Sequence, residues 1–126
     1  MEPADRKKIL IVDDDRDHLV SVVQILEKAG YEVCLHSQSI GTSTVVMKFR
    51  PDLILLDIKM PGVTGDEMAQ ILQRNTIAKN IPIVFYSGLD EDSLYHLWLE
   101  HGVAGYIQKG DPAQLVKSIA RFLPSS

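Results

Sequence analysis

Residues 53–65 read LILLDIKMPGVTG, four large apolar side chains that stop at Asp57 and run into a loop dense in glycine and proline. An apolar run of that length suits a strand buried on both faces, and the Gly/Pro-dense segment after it marks a loop. Three other stretches have the same form. Upstream, ILIV (9–12) gives way to Asp13 and Asp14; downstream, IVFY (83–86) ends at Ser87, and AGYIQ (104–108) ends at Lys109. Parallel buried strands gather their C-terminal ends along one edge of a sheet, where open α/β folds place their chemistry. Three carboxylates, a hydroxyl and an ammonium group converging there suit a divalent cation and a phosphoryl group.

The intervening segments carry helical signals. Residues from about 16 to 29 place Leu19, Val23 and Leu26 at i, i+4, i+7, and Gly30 follows as a stop. YEVCL (31–35) reads as a short strand, and residues from about 39 to 49 as a weaker helix rich in β-branched residues, closed by Arg50-Pro51. Thr64 with Glu67 forms a capping box for a helix running through Met68, Ile71 and Leu72. Asp90 caps a helix with Leu94, Leu97 and Trp98 on its inner face, and Gly102 ends it. Asp111-Pro112 opens a last helix with Leu115, Ile119 and Phe122 on one side. Five β/α units result. Their strict alternation implies right-handed crossovers and a parallel sheet with helices on both faces, an α/β doubly wound architecture.

Composition bounds the possibilities. The 126 residues, 45% hydrophobic and 24% charged, suffice for one core and not two, so a single domain over 1–126 with an ordered core of about 7–123 is expected. With 13 basic against 17 acidic residues, a net charge of -4 and no basic cluster longer than Arg6-Lys7-Lys8, neither nucleic acid nor an anionic membrane is an expected partner. The charged start MEPADRKK fits neither a signal peptide nor a membrane span, so a cytoplasmic location is expected. Cys34 is the sole cysteine and reads as inert core. His18, His36, His96 and His101 lack ligand-like spacing.

Taken in order, ILIVDDD, LILLDIKMPGVTG, IVFYSG and GYIQK resemble a bacterial two-component response-regulator receiver domain of the CheY-like type, over essentially the whole chain. The resemblance implies a five-stranded sheet in the order 2-1-3-4-5. It implies that Asp57 is the phosphoacceptor, assisted by Ser87 and Lys109. Asp13, Asp14 and Asp57, with the Lys59 backbone carbonyl, would hold Mg²⁺ or Mn²⁺. Ser87 and Tyr106 would form the switch, and Tyr95, Leu99 and Tyr106 a partner face on helix 4, strand 5 and helix 5. The implied partners are a sensor histidine kinase or phosphotransfer protein, a downstream target or fused effector domain, and a second copy in a phosphorylation-dependent dimer. Such a protein is no enzyme beyond assisting its own phosphorylation and dephosphorylation.

Elementary electrostatics agrees with that assignment. Three carboxylates so close repel unless a cation sits among them. Asp13, Asp14 and Asp57 supply -3 while a divalent ion and Lys109 supply +3, a balance that phosphorylation upsets by replacing one negative charge with about two. Two departures from the family stand out. Gly110 follows Lys109 where the family has a cis proline; because a cis bond at a non-proline residue costs ~3 kcal/mol, a trans or looser corner is expected, with Lys109 still reaching the site. Lys59, two residues after Asp57, is expected to hold its ammonium over the phosphoryl group, screening it from water and lowering Mg²⁺ affinity.

Competing readings fare less well. Phosphatases of the haloacid dehalogenase type need a second Asp where Lys59 stands. A nicotinamide-binding fold lacks its GxGxxG after the first strand. A phosphorylation-independent pseudo-receiver interaction module remains the alternative, with the Lys109-Gly110 departure as its sole support.

Overall fold

The computed structural model describes residues 6–123. The expected domain limits at 1–5 and 124–126 therefore lie outside the described residues. Five strands, β1 (Lys8–Val12), β2 (Glu32–His36), β3 (Leu53–Leu56), β4 (Ile83–Ser87) and β5 (Gly105–Gln108), alternate with five helices. These are α1 (Arg16–Lys28), α2 (Thr42–Phe49), α3 (Gly65–Arg74), α4 (Glu91–His101) and α5 (Pro112–Phe122). The strands form one parallel sheet in the order β2-β1-β3-β4-β5. This is the expected order.

Side chains alternate across each strand, so the apolar runs feed two cores. Leu10, Val12, Ile54, Leu56, Ile83 and Phe85 face Val46 of α2, Met68, Ala69 and Leu72 of α3, and Leu94 of α4. Ile9, Ile11, Leu53, Leu55, Val84 and Tyr86 face Leu19, Val22 and Leu26 of α1 and Leu115 and Ile119 of α5. Burial on both faces explains why β1, β3 and β4 are apolar without interruption.

Local signals decide most helix ends. The Thr64 and Glu67 pair opens α3, with Glu67 Oε1 accepting from the Thr64 amide at 3.3 Å and from the Thr64 hydroxyl at 2.7 Å. Asp90 accepts a hydrogen bond from the Ser93 amide and Asp111 one from the Ala113 amide, capping α4 and α5. Gly102 closes α4 in the left-handed conformation with φ 65°. Several side-chain assignments need correction. On α1, Val22 is fully buried, while Val23 is half-buried beside the same core. On α3, Ile71 is exposed, and Ala69 takes the inner position between Met68 and Leu72. Leu97 and Trp98 on α4, and Phe122 on α5, are half-buried at the margins. Cys34 is also half-buried rather than core, because β2 is an edge strand; burial, more than nearby Glu32, pushes its thiol pKa up. None of the described helices is long and apolar enough to cross a membrane.

Candidate functional site

Register aligns the strand ends. Val12 pairs with Leu56, and the Asp57 amide donates to the Val12 carbonyl at 3.0 Å, so Asp13 and Asp57 emerge side by side. Ser87 pairs with Gln108, and the Lys109 amide donates to the Ser87 carbonyl at 2.8 Å. The polar residues at the ends of four strands thus meet at one edge.

Asp13, Asp14 and Asp57 each offer a carboxylate oxygen within 4.8 Å of the others. Their surroundings differ. Asp13 is fully buried; its Oδ1 accepts from the Asp15 amide at 3.0 Å, and its Oδ2 lies 2.5 Å from Lys109 Nζ. That second contact is an ion pair without the alignment of a hydrogen bond, which leaves Oδ2 with unused acceptor capacity. Asp14 is exposed, as a ligand open to the solvent side would be. Asp57 is 7% exposed and accepts from the Ile58 amide at 2.9 Å, with Lys109 Nζ 3.8 Å from its other oxygen. Burial, and then the neighbouring Asp13 charge, raise the Asp57 pKa to about 6; Lys109, the Ser87 hydroxyl and the Ile58 amide oppose them less strongly. Only oxygen ligands are offered, and an acceptor at Asp13 is left over. Such a donor set fits a small hard divalent cation.

Lys109 reaches the site as expected, across the trans corner at Gly110, since no described peptide bond is cis. Its ammonium also lies 5.7 Å from the centre of the Tyr86 ring. Ser87 is buried, and its Oγ accepts from the Leu89 amide at 3.3 Å. Lys59, two residues after Asp57, is exposed. Tyr106 is half-buried on β5, its ring 5.8 Å from that of Trp98, which in turn lies 5.8 Å from Tyr95. Tyr95 and Leu99 are exposed, so a mixed aromatic and aliphatic surface continues from Tyr106 onto α4.

Two further residues shape the site. A Cβ at Gly65 would lie 1.7 Å from the Asp57 carbonyl oxygen, so α3 starts hard against the end of β3 only because this residue has no side chain. Gln108 donates from Nε2 to the Leu89 carbonyl at 3.1 Å, tying the end of β5 to the segment after β4.

Residues 9–120 match the family described as "Response regulator receiver domain". The chain belongs to that family. This receiver domain is 37% identical over 119 residues to the phosphate regulon transcriptional regulatory protein PhoB of Pseudomonas aeruginosa, covering 93% of this chain and 52% of that protein. It therefore spans about half the length of the curated relatives it matches. Among solved structures, the BeF3-activated N-terminal receiver domain of Klebsiella pneumoniae RstA superposes with TM-score 0.84 at 30% identity, covering 94% of this chain and 99% of that one. The chemotaxis protein CheY4 of Vibrio cholerae gives 0.85 at 28% identity, with the same coverages. The receiver domain is accordingly a module of two-component signalling, with the CheY-like fold.

Proposed function

We infer that Asp57 accepts a phosphoryl group from a phosphohistidine donor, a sensor histidine kinase or phosphotransfer protein. A carboxylate oxygen of Asp57 attacks phosphorus, the P–N bond breaks, and the donor imidazole leaves with the bond's electron pair. The observation carrying this reading is the grouping of Asp13, Asp14 and Asp57 with Lys109 at one strand edge. Asp13, Asp14, Asp57 and the Lys59 carbonyl would hold Mg²⁺ or Mn²⁺. The ion supplies positive charge against the oxygens of the transferring group. Lys109 adds a second positive charge, and burial of Asp57 limits attack by water. The protein assists this transfer and the later hydrolysis on itself, and turns over no other substrate.

Phosphorylation adds charge and three acceptor oxygens at Asp57. Ser87 answers by donating its hydroxyl to one of them, and Tyr106 turns inward behind it. The surface of α4, β5 and α5 carrying Tyr95, Leu99 and Tyr106 changes and selects a protein target, an effector domain or a second copy. A pseudo-receiver would be expected to lose an acid or the lysine, and both are kept.

Incubation with acetyl phosphate and Mg²⁺, followed by intact mass, tests the reading. Wild type gains one phosphoryl group and Asp57→Asn none; a wild type that stays unmodified defeats the proposal. In the same assay Lys59→Asn loses its phosphoryl group faster and binds Mg²⁺ more tightly, and unchanged values would remove Lys59 from the mechanism.

A further inference from the structure

The segment joining β4 to α4 is short and held at both ends. Ser87 closes β4, its carbonyl accepting from the Lys109 amide at 2.8 Å. Asp90 is locked onto α4, accepting from the Ser93 amide at 3.1 Å and from the Ser93 hydroxyl at 2.7 Å. The far end of α4 is tied to α3, where Gln73 donates to the His101 carbonyl at 3.0 Å. Gly88 and Leu89 lie between the Ser87 and Asp90 anchors.

Leu89 is held through both polar groups of its backbone. Its amide donates to Ser87 Oγ at 3.3 Å, and its carbonyl accepts from Gln108 Nε2 at 3.1 Å. Gln108 sits directly before Lys109, whose ammonium pairs with Asp13 and faces Asp57. A hydrogen-bonded chain therefore runs from Ser87, at the end of β4, through Leu89 back to the strand that carries Lys109. Ser87 Oγ can accept from the Leu89 amide while its hydroxyl donates toward Asp57, so a turn of Oγ toward added oxygens there that keeps both bonds draws Leu89 along. The bond from Gln108 resists that movement.

We propose that Gln108 is a positioning residue that latches the β4–α4 segment through the Leu89 carbonyl and so sets how often Ser87 is free to serve Asp57. The proposal rests on the phosphoacceptor reading for its consequence, though the latch itself exists without phosphate. Gln108 is exposed, so its loss leaves no cavity and no buried group without a partner. The bond is worth a modest amount in water, yet enough to alter the two populations about fivefold. When only a fraction of molecules is competent, the observed uptake scales with that fraction.

The test compares wild type with Gln108→Ala, which removes the side chain, and Gln108→Glu, which keeps its shape but offers no donor at neutral pH. Without Mg²⁺ or phosphate, hydrogen exchange at the Leu89 amide is expected to speed about fivefold in both variants. With Mg²⁺ and acetyl phosphate, both variants should gain the phosphoryl group about fivefold faster by intact mass, with melting temperatures matching wild type. Unchanged Leu89 exchange in either variant overturns the latch. Faster exchange with unchanged uptake overturns its coupling to Asp57. A wild type that gains no phosphate refutes the phosphoacceptor reading and with it the coupling, while the exchange measurement still decides the latch.

Discussion

Asp57 combines burial with a pKa of about 6, against an ordinary 3.8, so at neutral pH the folded protein carries an anion that its surroundings disfavour. The sign of the linkage follows. The folded state binds the proton more tightly than the unfolded chain, so the stabilisation is complete below about pH 4 and disappears as pH rises through 6. Without metal, Asp57→Asn should be more stable than wild type at pH 7 and nearly equal to it at pH 4. The shift of about 2 units caps the gain at about 3 kcal/mol, less whatever Lys109 forfeits with its partner. Urea unfolding at both pH values in the presence of chelator measures it, and a variant less stable than wild type at pH 7 would contradict the burial argument. The sequence announced Asp57 because a charge ending an apolar run is conspicuous. Gln108 is polar as well, but a glutamine at the margin of a strand has many unremarkable uses, and its role depends on a carbonyl 19 positions away.

The helices divide according to how their signals are written. Caps are local, which is why Thr64 with Glu67, Asp90 and Asp111 were legible from neighbouring residues alone. Inner faces are not. On α1 both Val22 and Val23 lie near the apolar stripe, and only packing against the sheet makes Val22 the fully buried one. On α3 the small Ala69 displaces Ile71 from the inner face because the helix starts so close to β3. Gly65 enforces that closeness, donating its amide to the Ile58 carbonyl at 2.8 Å. Gly65→Ala is therefore expected to cost at least about 2 kcal/mol in urea unfolding and to weaken Mg²⁺ binding, since relieving the clash displaces the Asp57 carbonyl. Gly110→Ala meets no atom within 4 Å and should change stability by less than about 0.5 kcal/mol. Equal losses at the two positions would remove the steric explanation.

Across the whole molecule, the two cores share the central strands, so the acidic edge and the packing beneath it unfold together. A cation held there by Asp13, Asp14 and Asp57 should stabilise every part of the chain: at one hundred times its dissociation constant, Mg²⁺ adds about 2.7 kcal/mol to wild type. Asp14→Ala, which alters an exposed side chain, should lose most of that increment while keeping its metal-free stability. An equal Mg²⁺ response in both proteins would place the ion elsewhere. The sheet order came from resemblance to a family, because strand alternation alone leaves the neighbours of β1 open. Trp98, the chain's sole tryptophan, lies against both Tyr95 and Tyr106. The proposed turn of Tyr106 would strip one side of the indole of its neighbour, so the colour and yield of this single fluorophore would follow the output surface in real time, with no dye attached.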